Sequence, residues 1–539
     1  MKRRHFLSTS LCASTGWVVN STFGDDVYMP PDDETVRISI CHTTDLHGHI
    51  TPTSTYNGES NVGGFGRCLS QIRKWRKSNP NHLVIDIGDL YQGTHVSLAT
   101  KGSLMVELLN AANYDAWVAG NHDFDWGEEV FRSAVEKSQM PVMSANLSMD
   151  GHAAGHRHHQ SGPYANLVPS MVKEFAGIKV GIIGITTPGL PFWLNKGQLG
   201  SIRALDPLIE TKKAIGSLQD QGVHCIIAAG HMGLKRYDED DYANQVNRIV
   251  GECPEIDLYI AGHTHRDRPS TLIGDTLFTQ AGYYGIWAGK VDLTFLKEGT
   301  KLIRRNAQTV LMDQRVKDDP LVEQITAPYR EKSDKSLRSM VGKLDAELSE
   351  GHFDDFGADT QSLIAAGMIY ALGKKGEKVD GVIHGAFSDE SLNAGPKTLA
   401  DIWEIIPYEN RIVTAELSGE QLTAILEEAF SKGFGKRRLV GFSLKTEWDS
   451  EARIRRVRNL RTAEGNPVIP AKRYRIAFNS YDAQSGGRSM LQLREILLRP
   501  AAKTRYHPID TRAALTDLFL DEELISAEVI EGLTREKNS

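Results

Sequence analysis

From Thr35 to about residue 290 the chain alternates between two hydrophobic periods. Short, continuously apolar runs read VRISICHTT, HLVIDIG, YDAWVAG, KVGIIGI, HCIIAAG and IDLYIAG. Between several of them lie stretches near 63–77, 102–112, 203–221 and 238–250 that predict helices. Apolar runs this short, without polar alternation, suit strands buried on both faces of an α/β layer fold. After about residue 290 the pattern changes. VDLTFL and TVLMD predict further strands, and DPLVEQITAPYREKSDKSLRSMV is charged and helical, with Pro328 as a local interruption. A second set of elements comes next, with helices near 361–373, 399–405 and 419–430 and strands at VDGVIH, RIVTAELS and YRIAFNS. With 539 residues the chain exceeds what one ordinary core supports. The pattern predicts two α/β domains, 36–312 and 341–530, joined by a helical connection over 313–340.

The residues directly after the apolar runs of the first half carry the chemistry. VRISICHTT leads to Asp45-Leu46-His47, and HLVIDI to Gly88-Asp89. YDAWVA leads to Gly120-Asn121-His122-Asp123, HCIIAA to Gly230-His231, and IDLYIA to Gly262-His263-Thr264-His265. Taken alone, GNHDFDWG (120–127) is as good a turn as a site, since Gly, Asn and Asp all favour turns. In open α/β sheets, however, sites gather beyond the carboxyl ends of the strands. Successive endings of this kind converge there on one cleft. Carboxylate, imidazole and amide ligands suit borderline or hard divalent metals. The pairs Asp45/His47 and His263/His265 are spaced by two, so both members reach one centre or two adjacent ones from a turning segment. A carboxylate such as Asp89 can bridge two ions, and two adjacent ions stabilise both attacking and leaving oxygens in phosphoryl displacement. The glycines let the backbone turn sharply and approach a metal or phosphate.

Composition narrows the picture slightly. The net charge is −7, with 40% hydrophobic and 24% charged residues. That is ordinary globular protein. The acidic balance lacks the basic face expected of a nucleic-acid binder, so no nucleic-acid partner is expected. The first 24 residues start basic, turn apolar and end polar, the layout of an export signal. Arg3-Arg4 followed by His5-Phe6-Leu7 resembles a twin-arginine signal, which predicts a periplasmic or extracellular protein. The apolar stretch is too short to span a membrane, and no membrane span is expected. Outside it stand Cys41, Cys68, Cys225 and Cys253 with no CxxC pair, so a zinc-thiolate site is unsupported. Cys41 and Cys225 fall inside apolar runs and are expected as buried hydrophobes.

The ordered motifs DLH, GD, GNHD, GH and GHTH resemble those of the calcineurin-like metallophosphoesterases. The longer forms GDLYQGT and GNHDFDWG, followed by a second domain, resemble the 5'-nucleotidase family. The resemblance implies an N-terminal four-layer α/β/β/α sandwich and a smaller C-terminal α/β domain. It implies two divalent metal ions, such as zinc, manganese or iron. Asp45, His47, Asp89 and His265 would hold one ion, and Asp89, Asn121, His231 and His263 the other. The family often has Gln where His265 stands. His122 matches the family's catalytic histidine, and Asp125 its orienting partner. The implied reaction is in-line attack of a metal-bound hydroxide on the phosphate monoester of a small molecule, a nucleotide above all. Alternatives are a phosphodiesterase of the 2',3'-cyclic-nucleotide or nucleotide-sugar type, a non-nucleotide phosphatase, or a metal-dependent binding protein without turnover.

The second domain resembles the family less closely. Ala394-Gly395-Pro396, Ile406-Pro407-Tyr408, Asn410 and Tyr481 with Gly486-Gly487 fit its substrate-domain markers. Two charges depart. Asp389 stands where the family has an arginine, and Arg488 where it has an aspartate. An upstream arginine is also missing, with Phe356 or Gly357 in its place. The departures predict either a reciprocal swap, Arg488 supplying the positive charge and Asp389 its counter-ion, or a domain that reads another substrate. Phe434 and Tyr481 are candidates to stack on a base. A histidine-bearing loop over 151–162 is an expected solvated insertion, with an extra metal site as the alternative. ARIRRVRNLR (452–461) is expected as a strand with a solvated basic face.

Overall fold

The computed structural model describes residues 31–155, 161–235, 237–349, 358–385, 391–431, 437–485, 488 and 490–535. The expected export segment, most of the histidine-bearing loop's histidines, Phe356, Gly357, Asp389, Phe434 and the Gly486-Gly487 pair lie outside the described residues.

The apolar runs of the first half become two sheets packed face to face. One has seven strands in the order Leu302–Leu311, Trp287–Leu296, Thr35–Thr43, His82–Asp86, Ala116–Val118, Val142–Met143 and Leu167–Val168. The other has six, in the order Ser170–Phe175, Ile178–Thr186, Cys225–His231, Leu258–Ala261, Thr276–Ala281 and Asp267–Ile273. The inner strands' side chains alternate between two buried faces, which explains the unbroken apolar runs. In the strand Thr35–Thr43, Val36, Ile38 and Ile40 enter the core between the sheets, while Cys41 enters the core under the helices. Ile38, Ile85, Ile182 and Ile227 have no exposed surface. Burying each contributes roughly 1.5–3 kcal/mol. Helices Phe65–Ser78, Ser103–Ala111 and Glu128–Lys137 cover the first sheet through residues such as Leu69, Leu108 and Phe131. Pro207–Asp220 and Val246–Glu252 cover the second through Leu218 and Ile249. The result is four layers, helix, sheet, sheet, helix. In each sheet the central neighbours pair in parallel, so their carboxyl ends share one edge.

The second domain has a five-stranded sheet in the order Arg437–Val440, Gly381–Gly385, Arg473–Asn479, Arg411–Ser418 and Arg505–Asp510. Helices Thr360–Gly373 and Thr511–Glu522 cover one face, and Gly419–Ser431 and Leu491–Leu497 the other. Between the domains runs the helix Pro320–Leu337, started by Asp319, whose carboxylate accepts from Leu321 N–H at 3.0 Å.

Two local expectations fail. Pro328 does not interrupt its helix, which continues through it. Anchoring on both sides of the proline, by buried Val322, Thr326 and Ser333, carries the helix past the missing N–H. The helix expected over 238–250 is only Val246–Glu252. Asp241 takes the N–H groups of Ala243 and Asn244, and Asp240 those of Asn247 and Arg248, so the acidic stretch forms capping turns instead. Cys41, Cys68, Cys225 and Cys253 are all buried and free, without a disulfide. The basic stretch does form a strand, Ile454–Thr462, and its arginines pair: Arg456 with Glu427 and Asp449, Arg458 with Glu447.

Candidate active site

The strand endings meet at the shared edge. Asp45 and His47 stand on the turn after Thr35–Thr43, Asp89 after His82–Asp86, and Asn121 and His122 after Ala116–Val118. His231 closes the strand Cys225–His231, and His263 and His265 come after Leu258–Ala261. Asp45, His47, Asp89, His263 and His265 all have left-handed backbone, with φ of 51°, 47°, 57°, 74° and 54°. Such conformations cost ~1–3 kcal/mol each in a non-glycine residue and persist only where the surroundings impose them. Here they are imposed by bonds between the turns. Asp45 N–H donates to Gly88 O at 2.9 Å, His47 N–H to Asp89 O at 2.9 Å, and Gly262 N–H to Gly230 O at 3.1 Å. The turns approach so closely that a Cβ at Gly120 would collide with the Asp89 carboxylate, and one at Gly262 with the Thr44 hydroxyl.

Two clusters result, Asp45/His47/His265 and Asp89/His231/His263, with ligand atoms within 4.8 Å of one another in each. His265 Nε2 is 3.3 Å from Asp45 Oδ1 and 3.1 Å from His47 Nε2. Asp89 Oδ2 is 3.0 Å from His231 Nε2 and 3.7 Å from His47 Nε2, so this carboxylate stands between the clusters. The rings are aimed by their other nitrogens. His47 Nδ1 pairs with Gln92 O at 2.6 Å and His231 Nδ1 with Ile87 O at 2.6 Å, each a carbonyl that accepts N–H. Both histidines therefore turn Nε2 inward. Asn121 Oδ1 is buried and makes no hydrogen bond. Buried polar atoms without partners call for a ligand or ion. Inward nitrogens gathered around two carboxylates are a donor set that fits a pair of divalent cations.

Beside the clusters lies His122. Its Nδ1 pairs with Asp125 Oδ2 at 2.7 Å, and its backbone N–H donates to Asp89 Oδ1 at 2.8 Å. Burial alone would lower the His122 pKa, but the charges of Asp125 and Asp89 overcome it and raise it to about 9. Gln198 steadies the turn by donating from Nε2 to Asp125 O at 2.9 Å. Asp123 takes the N–H groups of Gly120 at 2.8 Å, Leu90 at 2.8 Å and Asp89 at 3.2 Å.

The clusters open into a cavity of about 400 Å³ lined by both domains. His122, Asp125, Trp126, Trp193 and Tyr242 line it from the first domain, and Tyr408, Glu409, Arg411 and Tyr481 from the second. Trp126 Nε1–H donates to Glu409 Oε2 at 2.7 Å across the domains. Tyr481 is placed by its backbone, whose N–H donates to Asn410 Oδ1 at 3.1 Å. Arg488 places its guanidinium 5.2 Å from the ring of Tyr242, which lines the cavity. Phe434 and Asp389, the other expected substrate residues, lie outside the described residues. Sequence reasoning missed Trp126, Trp193, Tyr242, Glu409 and Arg411. Trp126 sits inside GNHDFDWG, and Glu409 and Arg411 flank Asn410, so position beside a recognised motif was the available signal. Trp193 and Tyr242 carried none.

Comparison with known proteins agrees with this geometry. The family model for calcineurin-like phosphoesterases matches residues 38–267, and that for the 5'-nucleotidase C-terminal domain matches 340–493. A snake venom 5'-nucleotidase of Naja atra is 26% identical over 84% of this chain and 90% of its own. A 2',3'-cyclic-nucleotide 2'-phosphodiesterase/3'-nucleotidase of Haemophilus influenzae is 23% identical over 90% of this chain and 84% of its own. An endonuclease of Bacillus subtilis is 25% identical over 90% of this chain, which spans only 39% of that larger protein. The crystal structure of a 5'-nucleotidase precursor from Thermus thermophilus shares the fold, with a TM-score of 0.68 and 22% identity over 91% of this chain and 98% of that one.

Proposed function

The chain belongs to the calcineurin-like phosphoesterases with a 5'-nucleotidase C-terminal domain and is a metal-dependent phosphoester hydrolase; from that premise we propose that it removes phosphate from nucleotides in the cleft between its two domains. The observation that carries the proposal is the pair of clusters with Asp89 between them at the floor of a cavity with aromatic walls from both domains.

Asp45, His47, Asp89 and His265 would hold one divalent ion, and Asp89, Asn121, His231 and His263 the other. When bound, such a pair supplies an activated water and neutralises charge on the phosphoryl oxygens. The chain's own groups do the rest. His122, with Nδ1–H engaged by Asp125, presents Nε2–H to the phosphoryl group as negative charge grows there, and helps the leaving oxygen depart. Asp125 keeps that ring from turning. Trp193 lies 5.1 Å from the His263 ring and shields one side of the second cluster from bulk water. Tyr481 offers a flat face to a base. Among the described residues, Arg411 is the cation that lines the cavity from the second domain.

A diesterase reading is the second one, favoured by the similarity to the Haemophilus influenzae enzyme over most of both chains. Phosphate release by manganese- or zinc-loaded protein separates the readings. The panel is nucleoside monophosphates, a cyclic nucleotide with a monoesterase added, a dinucleotide sugar and an aryl phosphate. Preference for nucleoside monophosphates supports the proposal. Equal rates on the aryl phosphate would refute nucleotide recognition, and preference for the cyclic nucleotide would select the diesterase. The basic-then-apolar first 24 residues support export, which N-terminal sequencing of protein recovered outside the cytoplasm tests directly.

A further inference from the structure

His265 differs from the other two cluster histidines with an engaged Nδ1. Those two rest on backbone carbonyls, Gln92 O and Ile87 O. His265 Nδ1 rests on a side chain, the hydroxyl of Tyr56, at 2.6 Å. Tyr56 comes from the tip of a small hairpin whose strands are Thr53–Ser54 and Ser60–Val62. Its ring stacks on Tyr283, with centroids 4.3 Å apart and planes 11° from parallel. Its backbone N–H donates to the Tyr283 hydroxyl at 3.0 Å. The ring is therefore held in place even though 58% of the residue's surface is exposed.

The direction of the hydrogen bond is set by the next partner. Tyr56 O–H donates to Tyr284 Oη at 3.2 Å. With its proton committed to Tyr284, the Tyr56 oxygen accepts from His265, which fixes the proton on Nδ1. Nε2 is then a bare lone pair aimed at Asp45 and His47.

We propose that Tyr56 is a positioning residue for His265, its hydroxyl setting the tautomer and aim that complete the Asp45/His47/His265 cation site. The inference rests on the reading of that cluster as a metal site. Outer partners of ligating histidines commonly raise metal affinity about 10- to 100-fold.

The test is cobalt binding to the purified, metal-stripped full chain. Bound ions per chain, the dissociation constant of each site against a chelator, and the visible absorption of bound cobalt are measured for the parent, Tyr56→Phe and Tyr56→Ala. Phenylalanine keeps the stack on Tyr283 and removes only the hydroxyl. Tyr56→Phe is expected to weaken one site by about tenfold or more, to change the cobalt spectrum and to leave the other site and the far-ultraviolet circular dichroism as in the parent. Tyr56→Ala should weaken that site to a similar degree. Parent-like affinity and spectrum in Tyr56→Phe would overturn the proposal, as would loss of binding in Tyr56→Ala alone, which would assign the effect to ring packing. A parent that binds fewer than two ions would instead overturn the dimetal reading, and this inference with it.

Discussion

At the scale of single residues, the acidic groups in GNHDFDWG divide the labour. Asp123 holds three backbone N–H groups from the two turns that carry Asp89 and Asn121. Burial, then the charge of Asp89, raises its carboxyl pKa to about 7. Asp123→Asn replaces one accepting oxygen by an amide that opposes N–H donors. It should lower unfolding free energy by about 1–3 kcal/mol in urea titrations. Parent-like stability would mean the turns hold themselves. Asp125 instead serves the His122 ring. His122→Ala should reduce kcat by roughly 10²- to 10⁴-fold while metal content stays that of the parent. Loss of an ion in that variant, read by elemental analysis, would make His122 a ligand.

At the scale of elements, the two candidate clusters were legible because their residues follow continuous apolar runs. Asp45, Asp89, Asn121, His231 and His263 need no long-range information beyond the parallel sheets that bring their strand ends to one edge. Part of the cleft wall was illegible for the opposite reason. Trp193 and Tyr242 lie on irregular segments, and only the folded chain brings them to one cavity. The acidic turn at 238–245 misled because side-chain capping by Asp240 and Asp241 competed with helical spacing. Pro328 misled because tertiary anchoring of Val322, Thr326 and Ser333 outweighed its intrinsic penalty. A proline in a helix interior is disfavoured by about 3 kcal/mol relative to alanine. Pro328→Ala should therefore raise the melting temperature, and a lower one would show that the backbone around residue 328 is adapted to proline.

At the scale of the whole molecule, neither domain makes the cavity alone. The first supplies both clusters, His122 and Asp125, and the second closes over them with Tyr408, Glu409, Arg411 and Tyr481. Trp126 and Glu409 join the two halves, and a hydrogen bond to a charged acceptor is worth about 1.5–3 kcal/mol. Trp126→Phe should raise the KM for a nucleotide about tenfold and leave turnover of a small aryl phosphate within twofold of the parent. Equal effects on both substrates would place the role of Trp126 in the catalytic floor rather than in domain closure. Both roles presuppose two ions sharing Asp89. The most direct measurement is anomalous diffraction from crystals of the full chain grown with manganese. Two peaks roughly 3.5–4 Å apart are expected, one among Asp45, His47 and His265, the other among Asn121, His231 and His263, with Asp89 touching both. A single peak, or two that do not share Asp89, would contradict the dimetal site.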